Sequence, residues 1–225
     1  MIVLPHEQGS AEWVQARLGI PTASQFGRIV TPKTMKLSAS SDGYLHELLS
    51  ERLLNSPVNP EANQWMERGS ELESQAISYY ELTTGADSER VGLCLHDGGR
   101  VGCSPDRLVG SEGGLEIKCP SAHVHVEHLL GGMSARYMPQ VQGCMWITGR
   151  LWWDLMSFHP LMPPALVRVS RDEHHIEALS EAVAGFLDRL EESWVRLQRL
   201  VGDGAGEAWV REVGLSHAEP APLLQ

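Results

Sequence analysis

The chain has 225 residues, 42% hydrophobic and 21% charged, the balance of a globular protein with a sizeable core rather than of a disordered or fibrous one. Its net charge of −11, from 18 Lys and Arg against 29 Asp and Glu, speaks against a globally basic nucleic-acid binder but leaves room for basic residues gathered on one concave surface. No apolar run is long enough for a bilayer, the start MIVLPHEQGS lacks the flanks of a secretory signal, and Cys94, Cys103, Cys119 and Cys144 form no CxxC pair; these features argue against a disulfide framework and a zinc site, and a reduced, cytoplasmic protein is expected.

A first helix is predicted after Ser10, with Trp13, Val14 and Leu18 on one stripe. The turn GIPT leads to a second helix, ASQFGRIV, with Thr22 as N-cap and Pro32 beyond its end. TPKTMKLSASSD, polar and small with two lysines, reads as a mobile loop. Helices follow over 44–54 and, after the break NSPVNP, over 61–82, the latter carrying Trp65, Leu72, Ile77 and Tyr80. The period then changes from helical to alternating, with strands near 89–96, 100–109 and 114–119 and turns at DGG and SEGG. A helix over 135–148, the strands LWWDLMSF and ALVRVS, and an amphipathic helix over 172–201 complete the pattern. This order predicts an α/β (α+β) fold, a central mixed β-sheet flanked by helices, in one domain over 1–205 with a flexible tail over 206–225. A helix interrupts the strands only once before the late pair, so the sheet is not doubly wound.

The chemistry concentrates in CSPDRLVGSEGGLEIKCP. Leu115, Ile117 and Cys119 alternate with Glu116 and Lys118, so the acid and the lysine share one face of a strand, and Asp106 lies ten residues before Glu116. Two neighbouring carboxylates repel unless a cation joins them, and Mg²⁺ is the natural one, being hard and oxygen-seeking. The carbonyl of Ile117 is a candidate further ligand, and the Lys118 ammonium can orient or deprotonate an attacking water and offset charge building on a phosphate. Such a set suits metal-assisted phosphodiester hydrolysis. The bland alternative is a solvated surface pair on an ordinary strand.

Hairpin geometry puts a condition on the sharper reading. Regular pairing across a four-residue turn at 111–114 sets Val109 opposite Glu116 and Asp106 opposite Cys119, on the wrong face. A shift of one residue flips every side chain on one strand, so a break near 105–107 or an odd-numbered loop is required. Pro105, which has no N–H to give a ladder, is a suitable place for the break.

The block SPDRL…GLEIKCP resembles the active-site hairpin of the PD-(D/E)xK nucleases, and in particular the lambda exonuclease family of viral recombination exonucleases. WVQARLGIPTAS, RGSELE, YMPQVQGCMWITG and VSRDEHHIEAL are similar to further family segments in the same order, from Trp13 to Leu190. The resemblance implies that Asp106 and Glu116 bind metal and that Lys118 is the catalytic lysine. It implies an additional active-site acid and metal ligand at Glu73, with Glu71 as the neighbour open to confusion, and an active-site glutamine at Gln140 rather than Gln142. Arg17 and Ser24 match residues that hold a terminal 5′-phosphate; a guanidinium fork and the free N–H groups of a helix start suit that role. Arg28, Lys33, Lys36, Arg136 and Tyr137 are the candidates for DNA contact. The interval from Lys118 to Tyr137 is shorter than the family's, and its His123, His125 and His128 read as a solvated loop. Of the adjacent Trp152 and Trp153, base stacking is the less common fate and burial the expected one.

What the resemblance implies for function is a Mg²⁺-dependent exonuclease, with Mn²⁺ able to substitute, that degrades one strand of linear duplex DNA from the 5′ end and leaves a 3′ overhang for recombination. It further implies a ring-shaped homotrimer acting on 5′-phosphorylated ends, a single-strand annealing protein as partner, no membrane, and a phage or prophage origin in a bacterial host. The alternatives are an endonuclease built on the same hairpin and a DNA-end-binding module without catalysis.

Overall fold

The computed structural model describes residues 1–58, 62–96 and 98–202, the side chains of 62–71 and of Ser134 excepted. The expected tail over 206–225 lies outside them, as does the side chain of Glu71. Helix α1 (Ala11–Arg17) starts where a capping residue predicts: the Ser10 hydroxyl accepts from the Trp13 N–H. The second predicted helix is instead a 3₁₀ turn (Ala23–Gln25) running into a single turn, α2 (Phe26–Ile29), and Thr22 makes no side-chain cap bond. Ser24 therefore does not sit at the start of a long helix. The expected mobile loop after it is closed by backbone bonds, Thr31 N–H to the Lys36 carbonyl and Ser38 N–H to the Ile29 carbonyl, around a bridge between Val30 and Leu37.

Helices α3 (Ser41–Leu54) and α4 (Ala62–Thr84) lead into the strands. Two of the three predicted strands are each broken in two. Residues 89–96 give β2 (Ser88–Glu89) and β3 (Leu93–Leu95), and 100–109 give β4 (Gly102–Cys103) and β5 (Arg107–Val109). β3 and β4 form a small antiparallel sheet with β1 (Ile2–Leu4), a strand with no clear sequence signal, in the order β1-β3-β4. β2 and β5 join β6 (Gly113–Lys118), β7 (Trp152–His159) and β8 (Met162–Ser170) in a mixed sheet ordered β2-β5-β6-β7-β8, parallel only between β6 and β7. The parallel pair needs a crossover, which α5 (Ala122–Glu127), a wide turn at His128–Gly132 and α6 (Ser134–Thr148) provide. α7 (Glu173–Val201), capped by Asp172 on the His175 N–H, closes the described chain.

The middle of the larger sheet, β6 and β7, is buried on both faces. Val109, Leu115, Ile117 and Met156 pack with Ala76, Ile77 and Tyr80 of α4. Leu108, Trp153 and Leu155 face the other way, into a core shared with α2, α3, α6 and α7. Trp153 is fully buried, as expected, whereas Trp152 is half-buried beneath the Arg168 guanidinium at 3.7 Å. A β-carbon at Gly114 would meet the Trp153 ring at 2.4 Å, so only glycine lets these two strands approach. On the α4 face, Asp154 is buried and accepts from Tyr80 Oη at 2.7 Å and from Arg168 Nε and Nη2 at 2.8 and 2.7 Å.

The histidine stretch is a correction. His125 and His128 are buried, and both ring Nδ1 atoms lie against the Ser157 hydroxyl, at 2.8 and 2.9 Å. Their segment packs as a helix on β7 rather than as a solvated loop; only His123 is exposed. Burial pushes the His128 imidazolium down in pKa. Among the described residues no helix is long and apolar enough to cross a membrane.

Candidate active site

The β5–β6 hairpin turns through three residues, Gly110, Ser111 and Glu112, because Val109 pairs with Gly113, Leu108 with Gly114 and Arg107 with Leu115. The loop is odd-numbered, and the ladder also stops at Arg107, where Pro105 cannot donate. Continued by one residue, this register puts Asp106 beside Glu116. The Asp106 Oδ2 accepts the Ile117 N–H at 2.5 Å, so the carboxylate lies across the strand that carries Glu116 and Lys118.

Lys118 Nζ donates to Glu116 Oε1 at 2.6 Å and to Gln140 Oε1 at 3.1 Å, and lies 5.1 Å from the centre of the Tyr137 ring. Gln140 and Tyr137 come from α6, which covers the same sheet face. Gln142 is buried and does other work: it donates to the Ser170 carbonyl at 2.9 Å and accepts the Asp172 N–H at 3.1 Å, tying β8 to α7. Of the two glutamines, Gln140, the one the resemblance implies, lies at the lysine, and Gln142 lies away from it.

The electrostatics are those of a site short of positive charge. Burial and the charges of Glu116 and Glu73 hold the Asp106 carboxyl well above the usual carboxylate range. Burial and Glu116 likewise raise Glu73, which lies on α4, the helix packed on the opposite face of the sheet. Burial pulls the Lys118 ammonium down, but Glu116 and Asp106 outweigh it and its pKa ends raised. Burial and the charges of Glu73 and Asp106 push the Cys119 thiol up to about 11, so it is no nucleophile. Glu116 is 4% exposed, and its Oε2 is buried with no hydrogen-bond partner. An orphaned carboxylate oxygen beside a second carboxylate fits a hard cation. Among the described residues no three His, Cys, Asp or Glu side chains converge as a ligand set, so Asp106 and Glu116 would leave the remaining positions to the Ile117 carbonyl and water. Glu73 is not brought into one cluster with them.

A second group of residues abuts the first. Arg17 Nη1 donates to Ser104 Oγ at 2.8 Å, and its Nη2 lies 3.5 Å from Thr22 Oγ1, which is 3.4 Å from Ser24 Oγ. Trp13 stacks on the guanidinium at 4.2 Å and donates its Nε1–H to the same Ser104 hydroxyl at 3.0 Å. Burial lowers the Arg17 pKa. A bridge between Thr22 and Gly102 fastens this loop to β4, and the Gln8 amide holds the Pro105 carbonyl at 2.7 Å. Ser104 and Pro105 connect the arginine directly to Asp106. Sequence reasoning missed Ser104, Trp13 and Gln8 as site residues; the SPD run was the available signal for the first, whereas nothing local marks a tryptophan or glutamine that works through tertiary contact.

The candidates for DNA contact divide. Arg28 is held by Glu47 through two bonds of 2.6 and 2.7 Å, so it is not a free cation; its neutralisation follows from α2 and α3 packing side by side. Lys33, Lys36 and Arg136 are exposed, and Arg136 lies 5.8 Å from the Tyr137 ring, near Lys118.

Residues 12–151, more than half of the chain, match the family model of the YqaJ-like viral recombinase domain. Two solved structures of an alkaline exonuclease, LHK-Exo from Laribacter hongkongensis, one of them in complex with dAMP, are 34% and 33% identical to it; each match covers 92% of this chain and all of the other, with a TM-score of 0.76. A phage-related exonuclease from Haemophilus somnus 129PT, 19% identical, shares the fold with a TM-score of 0.65 over 79% of this chain and 96% of its own. No curated protein matches. On the length of the family match and the identity to the Laribacter enzyme, the chain belongs to the YqaJ-like viral recombinase domain family.

Proposed function

We propose that the protein is a Mg²⁺-dependent exonuclease that removes nucleotides from the 5′ ends of linear duplex DNA and leaves 3′ single strands, the form an annealing protein takes up in recombination. The observation that carries this reading is the short link Ser104–Pro105–Asp106, which sets an arginine-and-hydroxyl pocket next to the paired carboxylates. A terminal phosphate seated at Arg17, with Ser24 and Ser104, would present the next phosphodiester to Asp106, Glu116 and Lys118. A relative crystallised with dAMP, a 5′-phosphorylated nucleotide, supports a pocket of that chemistry.

Asp106, Glu116 and the Ile117 carbonyl would hold Mg²⁺, which when bound supplies Lewis-acid polarisation of the phosphate. The chain's own groups do the rest. Lys118, held by Glu116 and Gln140, directs its N–H bonds at the attacking water and at charge growing on the phosphate. Tyr137 lies beside its ammonium, and Gln140 keeps it from swinging away. Glu73 adds negative charge at the edge of the site.

The deciding experiment incubates enzyme and Mg²⁺ with linear duplexes bearing 5′-phosphate or 5′-hydroxyl ends, alongside nicked and closed circles. Loss of one strand from linear ends, faster with phosphate, is expected. Cutting of the closed circle would mean an endonuclease, and binding without any cutting an end-binding module.

Arg17→Ala costs more on 5′-phosphorylated ends than on 5′-hydroxyl ends. A charged hydrogen-bond pair is worth roughly 1.5–3 kcal/mol, about a 10- to 150-fold difference between the substrates. An equal loss on both would show that Arg17 acts on folding alone.

A ring of three chains would gather Lys33, Lys36 and Arg136 around a channel and leave the acids outside. Light scattering should then give three times the 24.8 kDa chain mass. A monomer that persists across concentration would remove the ring from the reading.

A further inference from the structure

The site closes only because β5 pairs with β6 in the odd register, yet β5 is a weak strand. It has three residues and is flanked on its other side by β2, which has two. β6 is better anchored, through six paired positions along β7 and through glycines that fit under tryptophan rings. What selects the register of β5 must therefore act on the loop between them.

Arg150, two residues before β7, reaches back across the chain to that loop. Its Nη1 lies 2.7 Å from the Gly113 carbonyl, 2.8 Å from the Gly110 carbonyl and 3.3 Å from the Val109 carbonyl. Three carbonyls from both sides of the turn converge on one guanidinium nitrogen only because Val109 faces Gly113 and Gly110 takes a left-handed conformation, with φ of 52°. Pairing across a four-residue turn at 111–114 would put Val109 opposite Glu116, moving its carbonyl along β6 and away from Gly113. The main chain beside Arg150 assists: the Leu151 N–H bonds the Glu112 carbonyl at 2.8 Å. At the far end of β5, Gln8 holds the Pro105 carbonyl.

We infer that Arg150 is a positioning residue for the reaction: by gathering the carbonyls of the β5–β6 turn it selects the three-residue loop, and so keeps Asp106 on the face of Glu116 and Lys118. It touches neither substrate nor reacting atoms and acts through Asp106 alone. The inference rests on the proposed nuclease reading for its kinetic consequence, but the register itself can be tested without it.

The test uses wild type, Arg150→Ala, Arg150→Lys and, as a reference, Asp106→Ala, each labelled with ¹⁵N-isoleucine. In metal-free buffer the Ile117 amide of wild type reports the bond to Asp106. In Arg150→Ala it is expected to move towards its position in Asp106→Ala and to exchange faster, while the amides of the buried Ile29 and Ile147 stay unchanged. On linear duplex, kcat should fall roughly 100-fold with KM held, the scale of loss from misplacing a reacting group by about 1 Å. Arg150→Lys, which keeps the charge and a single donor nitrogen but on a shorter side chain, should fall between, and carries the measurement if the alanine variant does not fold. An Ile117 amide in the Arg150 variant that coincides with wild type overturns the inference, as does an unchanged kcat. A wild type without nuclease activity would refute the functional reading instead, and the Ile117 amide would still decide the register.

Discussion

Lys118→Ala loses ~100-fold or more of the hydrolysis rate while still folding and binding duplex ends, since groups that stabilise transition-state charge typically contribute on that scale. The side chain is partly exposed and belongs to neither hydrophobic cluster, so its removal leaves no large cavity. Its ammonium satisfies Glu116 Oε1, and without it the buried carboxylate has an orphan at both oxygens. Metal-free Lys118→Ala should therefore be less stable than wild type, with Mg²⁺ restoring more stability to the variant than it adds to wild type. Rates on linear duplex, end binding and melting with and without Mg²⁺ check the three parts. A variant that digests DNA at near wild-type rate would take the lysine out of the mechanism.

Asp106→Asn abolishes activity yet raises the melting temperature of the metal-free protein. The wild-type carboxyl is held well above its usual range by burial and by Glu116 and Glu73, which means that its ionised form is disfavoured in the folded state. A group whose folded pKa is raised binds more protons folded than unfolded, so its contribution to stability falls as pH rises above its ordinary value of 3.8. Asparagine keeps an oxygen to accept the Ile117 N–H and removes the repelling charge. For a chain of this size each kcal/mol relieved raises the melting temperature by about 2–4 °C. Added Mg²⁺ should then stabilise wild type more than the variant. Scanning calorimetry at neutral pH checks the first claim and a Mg²⁺ series the second; a lower melting temperature for metal-free Asp106→Asn would refute the charge-strained site.

The two variants separate the parts played by the hairpin's charges. Lysine offsets the acids, so removing it destabilises; Asp106 adds to the excess, so neutralising it stabilises. The protein keeps a locally unfavourable arrangement at the place where a cation would relieve it, as strained functional sites do.

Much of this was legible along the chain because it depends on short-range chemistry. The change from helical to alternating period and the long helices depend on residues within a turn or two of each other, and sequence periodicity reports them directly, whereas the one cap expected, at Thr22, does not form. Glu116 and Lys118 on one face follow from the two-residue period of a strand, and the conflict over the face of Asp106 could itself be stated before any coordinates. Where strands break was less legible. Residues 100–109 read as one strand, but Pro105 and the pull of two different partners divide them between two sheets. β1 is visible only through its pairing with β3.

What the sequence by itself determined is the kind of site: an acid pair, a lysine between apolar neighbours, and an odd register as the condition for their meeting. Tertiary structure decided which groups serve it. Ser104 and Trp13 complete the arginine pocket because α1 packs on β3, which pairs with β4 just before Ser104, and Arg28 is lost to Glu47 because α2 lies on α3. His125 and His128 are buried because α5 docks on β7 rather than looping into water. Arg150 reaches the β5–β6 loop from some forty residues away in sequence, through the crossover that makes β6 and β7 parallel. Separations of that size leave no periodic trace along a chain, because the partners are chosen by how the layers pack and not by the residues on either side.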